Sequence, residues 1–394
     1  MMKPGNSNIL TINSGSSGIK FSLYKVAEPL VQLFYGEIGN IGAQNPTLSF
    51  RNAIDHKINY INVKAGDHHE AAAALTGWLE KQEGFDLVKA VGHRIVHGMK
   101  HTEPEIITTS LLDELKKIGV YDPEHLPQEI ELIELFKKRY PSLTQVVCFD
   151  TSFHTSMPTV AKLLSIPRRY YETGIQRYGF HGLSYAYLME ELEQVAGTET
   201  AQGKIILAHL GSGASLAAVK GGKCMDTSMG FTPTSGIPMS TRTGDLDPGV
   251  ALYLIKTEKL SPNEFNHLIN HESGLLGVSE ISSSMQELMK VEDTDHRAAE
   301  AIELFCYQTK KWIGSFAAVL GGLETLVFAG GIGEHSPEAR SKICDGLDFL
   351  GIELCGIKNM NNEATISTGA SKVMVRVIKT NEELMIARTV NNML

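Results

Sequence analysis

Two stretches of this chain repeat one design. "NILTINSGSSGIKFSLYK" (8–25) and "GKIILAHLGSGASLAAVKGGK" (203–223) each run apolar strand, Ser/Gly bend, apolar strand. Apolar runs broken by a Gly/Ser bend read as paired strands. In this layout Gly15-Ser16 matches Gly211-Ser212. After the first pair, "VQLFYGEIG", "TLSFR" and "INYINV" continue as strands. "HHEAAAALTGWLEKQ" then turns helical, with Ala72, Leu75 and Leu79 on one face. "LVKAVGHRIVHG", two amphipathic helices and the strand "LTQVVCFD" complete a β-β-β-α-β-α-β order. After 203 the order restarts, with a long helix "DHRAAEAIELFCYQTKKWIGSFAAVLG" and a buried strand "LETLVFAGGIGEHS". The pattern predicts two α/β domains made by one duplication and facing each other across a cleft, where ligands tend to sit. The expected division is 1–155 and 156–382, with a last helix, 383–394, capped near Asn381 and packing on the first domain.

The bulk numbers agree with two cores, since 394 residues exceed one ordinary domain. A net charge of -9 without a long basic run argues against nucleic acid as a partner. No run approaches the roughly 20 apolar residues of a membrane span. Five cysteines without a CxxC pair fit idle thiols in a reducing cytoplasm.

Six stretches could carry chemistry, and each has a plainer reading. In "NSGSSGIK", backbone N–H groups, hydroxyls and Lys20 can cup a phosphate, or the stretch is a simple β-turn. It is not a Walker A loop. In "VGHRIVHGMKH", Arg94 lies inside an apolar strand and must meet an anion, either a structural carboxylate or a substrate. His93, His97 and His101 lack the HExxH pattern of zinc enzymes, so packing or surface positions compete with a metal site. Asp150 stands at the end of a buried strand, where α/β folds place chemistry or an Asx turn. In "RRYYETGIQRYGFHGLSYAYL", His181 and Gly182 precede a helix, which His181 could cap, or the imidazole could hydrogen-bond a transferring group. "DTSMGFTPTSGIPMSTRTGDLDPG" has no clear period and sets Arg242 between two threonines like an anion clamp. "FAGGIGEHSPEAR" brings a strand into a glycine turn suited to close approach by a nucleotide, or simply to a tight connection. Together these are the parts of a phosphoryl-transfer site.

In order along nearly the whole chain, "INSGSSGIK", "GHRIVHG", "FDTSFHTSMP", "RYGFHGLSY", "AHLGSGAS", "DTSMGFTP", "STRTGDLDP", "GLLGVSEISS", "FAGGIGEHS" and "TNEELMIAR" resemble the acetate kinases of the acetate and sugar kinase, actin and hexokinase superfamily. The resemblance implies two duplicated actin-like, ribonuclease H-like domains (β-β-β-α-β-α-β-α). It implies reversible, Mg²⁺-dependent transfer from ATP to acetate or propionate in a cytoplasmic homodimer, with Mn²⁺ as a possible substitute. Asn13 and Glu382 would hold the metal. Arg94, Val96 and Pro233 would bind the acid. Asp150, Arg94, His181 and Arg242 would be catalytic. Nucleotide and phosphate would contact Ser16, Lys20, His209, Leu210, Gly211, Ser212, Gly213, Ser284, Gln286, Gly331, Ile332, Gly333, Glu334 and His335 in a nucleotide-binding second domain.

The chain departs from that pattern in places. Gly18 replaces a usual Ser, and "GVYDPEHLPQEI" puts Glu124 where a pocket leucine is expected. Ser212 and His335 replace asparagines, and Ser284 and Gln286 stand for Asp and Arg. These changes leave open a divergent acyl kinase with another short carboxylate, or with another donor such as pyrophosphate. A non-catalytic, actin-like nucleotide-binding protein is the alternative of another class.

Overall fold

The computed structural model describes residues 7–15, 18–43, 45–52 and 57–394. The chain divides into two compact units: residues 1–152 with 381–394, and residues 153–380.

The first unit is built on strands β1 (Asn8–Ser14), β2 (Gly18–Lys25), β3 (Val31–Gly39), β4 (Thr47–Asn52), β5 (Ile58–Asn62), β6 (Val88–Ile95), β7 (Glu105–Ile106) and β8 (Thr144–Phe149). They form one mixed sheet in the order β5-β4-β3-β2-β1-β6-β8-β7. β1 and β2 are antiparallel, with Asn13 opposite Lys20. β6 joins β1 in parallel, and β8 joins β6 in parallel. Gly18 lies where β3 comes close: a Cβ there would meet Glu37 Oε1 and the Ile38 carbonyl at 2.8 Å, so a serine would not fit without a shift.

Helix α1 (His68–Leu79) starts at Asp67, whose side chain accepts from the Glu70 N–H. It lays Trp78 against Phe21, Phe34 and Phe50, with ring centroids 4.8–5.4 Å apart. Burying each such aromatic contributes about 1.5–3 kcal/mol. Helices α2 (Thr109–Ile118) and α3 (Leu126–Arg139) follow in the connection to β8. The helix Glu382–Met393 packs on β1 and β6 through Ile386, Ala387 and Val390. Its close seat depends on Gly92, where a Cβ would lie 2.4 Å from the Ile386 side chain.

The second unit contains β9 (Lys204–Leu210), β10 (Ala214–Lys220), β11 (Lys223–Thr227), β12 (Thr325–Ala329) and β13 (Met374–Val377), in the order β11-β10-β9-β12-β13. β9 and β10 are antiparallel, and β12 is parallel to both β9 and β13. This repeats the order and directions of β3-β2-β1-β6-β8. Ile205, Leu207, Ala217 and Val219 pack with Tyr185, Leu188 and Leu192 of the helix Gly182–Ala196. Residues alternate along a strand, and the other face, including Ile206, Leu216 and Ala218, is also buried. The 25-residue helix His296–Leu320 lies against β9, β10 and β11.

Among the described residues, no helix is long and apolar enough to cross a membrane.

Candidate active site

In the first unit, Arg94 near the end of β6 is largely buried and carries several anionic partners. Its Nη1 donates to the Ser14 carbonyl at 3.2 Å and to Glu129 Oε1 at 3.1 Å. Its Nη2 donates to Asp150 Oδ2 at 3.0 Å. Asp150 follows β8 directly, and its own N–H donates to the Ile95 carbonyl at 2.9 Å, so the two strand ends are pinned side by side. Burial alone would lower the Arg94 pKa, but Asp150, Glu129 and Glu382 outweigh it and keep the guanidinium charged.

Glu129 on α3 was not singled out by sequence reasoning. It is buried on the helix face that carries Leu126, Ile130, Ile133 and Phe136. Its Oε2 accepts from the Val96 N–H at 2.9 Å. Burial pushes its carboxyl up to about 8, against the pull of Arg94 and the Val96 N–H. The sequence signal was available: a carboxylate at a core-facing helical position needs a buried partner. Glu124, which stands where the resemblance leads one to expect a pocket leucine, is half-buried in the turn before α3.

A second group joins the last helix to the first hairpin. Asn13 Nδ2 donates to Glu382 Oε2 at 2.8 Å and to Glu383 Oε1 at 3.4 Å. Burial, then the neighbouring Glu382, raises the Glu383 pKa. Packing around the Lys20 ammonium would lower its pKa, but Glu383, Glu382 and Glu37 raise it on balance. Two adjacent carboxylates and an amide oxygen are hard donors of the kind Mg²⁺ takes, alongside water and substrate phosphates. The residues present therefore fit such an ion. Ser16 lies outside the described residues.

The three histidines of "GHRIVHGMKH" go different ways. His93 is buried against Gln145, with Nε2 and Oε1 2.8 Å apart, and burial lowers it to about 4. His97 is also lowered to about 4 by burial, and its Nδ1 accepts from the Met99 N–H. His101 meets Glu105 at 2.6 Å. Among the described residues, no group of three or more His, Cys, Asp or Glu could hold a metal ion.

In the second unit, His181 stands at the N-cap position of the helix Gly182–Ala196, in the left-handed region at φ 59°, and its side chain makes no capping hydrogen bond. Its Nδ1 lies 2.8 Å from Ser215 Oγ, which in turn meets the Tyr185 hydroxyl. Neither Ser215 nor Tyr185 was marked from sequence. His209 lies beside the His181 ring, and its Nδ1 is 2.8 Å from Ser184 Oγ. Gly213 sits under the same group: a Cβ there would be 3.1 Å from His181 Nε2 and 3.8 Å from Arg242 Nη1. Arg242 Nη1 donates to the Pro233 carbonyl at 3.2 Å. His181, Arg242, His209, Gly213 and Pro233 are thus neighbours, although the sequence spreads them over some 60 positions.

The bend Leu210–Gly213 is closed by the Gly211 N–H on the Gly213 carbonyl at 3.0 Å, and Ser212 accepts from the Ser240 N–H at 3.2 Å. Gly330, at φ 75°, lets the chain approach to where a Cβ would meet the Leu210 carbonyl at 2.7 Å. The expected open glycine turn is instead a short helix, Gly330–His335, containing Gly331, Ile332 and Gly333. Glu334 Oε1 accepts from the Gly330 and Thr380 N–H groups. Ser284 caps the helix Met285–Val291, which touches Ser336 Oγ through Met289 Sδ at 3.3 Å. Gln286 and His335 are exposed.

Paired mixed sheets, a buried guanidinium beside carboxylates, and a glycine bend under an imidazole and a second guanidinium define a two-domain α/β phosphotransferase. The chain belongs to the acetokinase family, whose profile matches residues 8–388. It is 42% identical over 390 residues to an acetate kinase of Rhodopseudomonas palustris (strain TIE-1), covering 97% of each chain. Among solved structures, it matches a propionate kinase from Francisella tularensis subsp. tularensis SCHU S4 with a TM-score of 0.90 and 34% identity, over 97% of this chain and 98% of that one. The Porphyromonas gingivalis acetate kinase matches with a TM-score of 0.86 and 33% identity, over 98% of this chain and 100% of that one.

Proposed function

We propose that this enzyme transfers the γ-phosphoryl group of ATP to the carboxylate of acetate, reversibly, giving acetyl phosphate and ADP. The observation that carries the reading is Arg94: a buried guanidinium fixed by Asp150, Glu129 and the Ser14 carbonyl. A guanidinium has five N–H donors. Among the described residues of this unit, three are committed, which leaves Nε and one Nη2 N–H for a substrate carboxylate.

The acid needs no strong base, because a carboxylate with a pKa of roughly 4 to 5 is already a nucleophile at neutral pH. The obstacle is bringing two anions together. Arg94 binds and orients the acid, and Asp150 orients Arg94. His181 and Arg242 stabilise charge on the transferring group, with the Ser215 contact setting which ring nitrogen of His181 faces outward. Lys20, the bend at 211–213 and the short helix Gly330–His335 bind phosphates and nucleotide. Asn13 and Glu382 would hold Mg²⁺, which supplies charge neutralisation for the phosphates when bound.

The shared strand order of the two sheets supports descent from one duplicated actin-like unit. We propose a cytoplasmic homodimer, in keeping with the family. Propionate is the second reading of the acid, favoured by the likeness to the Francisella propionate kinase. Hydroxylamine capture of the acyl phosphate, with formate, acetate, propionate and butyrate as acids and ATP, GTP and pyrophosphate as donors, tests all of this. Acetate with ATP should give the highest kcat/KM. No hydroxamate from any pair would overturn the function.

A further inference from the structure

Glu129 is a buried carboxylate that the reaction does not need as a base, and its two oxygens have different tasks. Oε1 takes a hydrogen of Arg94 Nη1, and Oε2 takes the main-chain N–H of Val96, two residues further along the same strand end. Arg94 and Val96 are both assigned to the acid. One side chain from α3 therefore fixes the guanidinium and the adjoining backbone together.

We propose that Glu129 is a positioning residue for acid binding: it clamps Arg94 Nη1 and the Val96 backbone so that Nε and the free Nη2 N–H are presented to the substrate carboxylate. The inference deepens the acyl-kinase reading and rests on it for the identity of the ligand.

The geometry explains why a single partner would not suffice. Asp150 holds Nη2 alone, and a guanidinium held at one nitrogen can still swing about that contact. The Glu129 and Ser14 contacts at Nη1 fix the plane. A planar fork matched to a carboxylate loses its advantage if it rotates. The clamp has a cost, because Glu129, once ionised, adds negative charge near the place where the acid must bind. Its charged neighbours are Arg94 on β6, Asp150 after β8, and Asp122 in the turn before α3, which is itself paired with His125 at 3.0 Å. Glu382 on the last helix acts on Arg94 in turn.

The test compares the full-length parent, Glu129→Gln and Glu129→Asp by steady-state kinetics and by protection of the fold by acetate in thermal melts. Glu129→Gln keeps the shape, but its amide cannot accept from both donors. The expected result, at mildly alkaline pH where the parent's Glu129 carboxylate has formed, is about a tenfold or greater loss of kcat/KM for acetate, as for a lost charge-assisted contact. The nucleotide KM should move less than twofold. The parent profile of kcat/KM for acetate should rise through mildly alkaline pH as the carboxylate forms, and Glu129→Gln should lack that rise. Glu129→Asp keeps the charge but not the reach to both donors, so it should fall between the two and keep the pH dependence.

Acetate kinetics within twofold of the parent in a folded Glu129→Gln would overturn the proposal. So would a nucleotide KM that moves as far as the acetate KM. If Glu129→Gln does not fold, parent-like acetate kinetics in Glu129→Asp would overturn it. The melts separate this inference from the function, because ligand binding raises stability without turnover. A parent that makes no acyl phosphate, yet is protected by acetate when Glu129→Gln is not, would refute the function and support the clamp. A parent that turns over acetate and is matched by Glu129→Gln would refute the clamp alone.

Discussion

The imidazole of His181 stacks on that of His209, with ring centroids 4.4 Å apart and planes 23° from parallel. The stack leaves in-plane hydrogen bonds as the means of setting the His181 ring. Ser215 supplies one at Nδ1, backed by Tyr185. Ser215→Ala should therefore lower kcat about tenfold, the effect of losing one orienting hydrogen bond. Both KM values should stay within about twofold. Steady-state rates with the acid and the nucleotide each varied will check this.

Arg94→Ala and Arg242→Ala should each lower kcat by on the order of 10²- to 10³-fold, as removal of a transition-state charge contact does. Arg94→Ala takes the guanidinium away from two buried carboxyl groups, Glu129 and Asp150, a loss of about 3–5 kcal/mol. Arg242→Ala removes the Nη1 hydrogen bond to the Pro233 carbonyl. Urea unfolding of both variants separates catalytic from structural loss.

Glu382→Ala should raise the Mg²⁺ concentration for half-maximal rate by at least about tenfold, since one of two proposed protein oxygen ligands is gone. Asn13 also loses its 2.8 Å partner. A Mg²⁺ titration at saturating acid and nucleotide reads this directly, and an unchanged midpoint would remove Glu382 from the metal site.

His93 gives the fold an acid limit. Burial lowers it to about 4 from an ordinary 6.5, so the unfolded chain binds the proton more readily than the folded one. Its stabilising share is complete above pH 6.5 and is lost as pH falls toward 4. The loss by pH 4 is on the order of 3 kcal/mol. Stability measured from pH 7 to 4 should fall less steeply in His93→Gln than in the parent.

Much of this was legible in the sequence where information is local. The hairpin Asn8–Lys25, helix α1 and the Asn381 cap, whose side chain accepts from the Leu384 N–H, all follow from short patterns. The strands β7 and β13 span two and four residues and are defined by their pairing with β8 and β12, so no periodicity marks them. The turn at 330–335 coils because Gly330 must pass close to Leu210, a contact 120 positions away in sequence. Arg94 announced its need for an anion, but the choice of Glu129 and Asp150 depends on how α3 and β8 pack beside β6.

The helix Glu382–Met393 belongs to the unit formed by the first 152 residues. A ribosome therefore releases the whole second unit before it delivers the segment that covers β1 and β6. Until then the early sheet carries a bare apolar strip, and Asn13 waits for a carboxylate encoded 369 codons downstream. The contact between Asn13 and Glu382 is thus made late, after the whole second unit has left the ribosome.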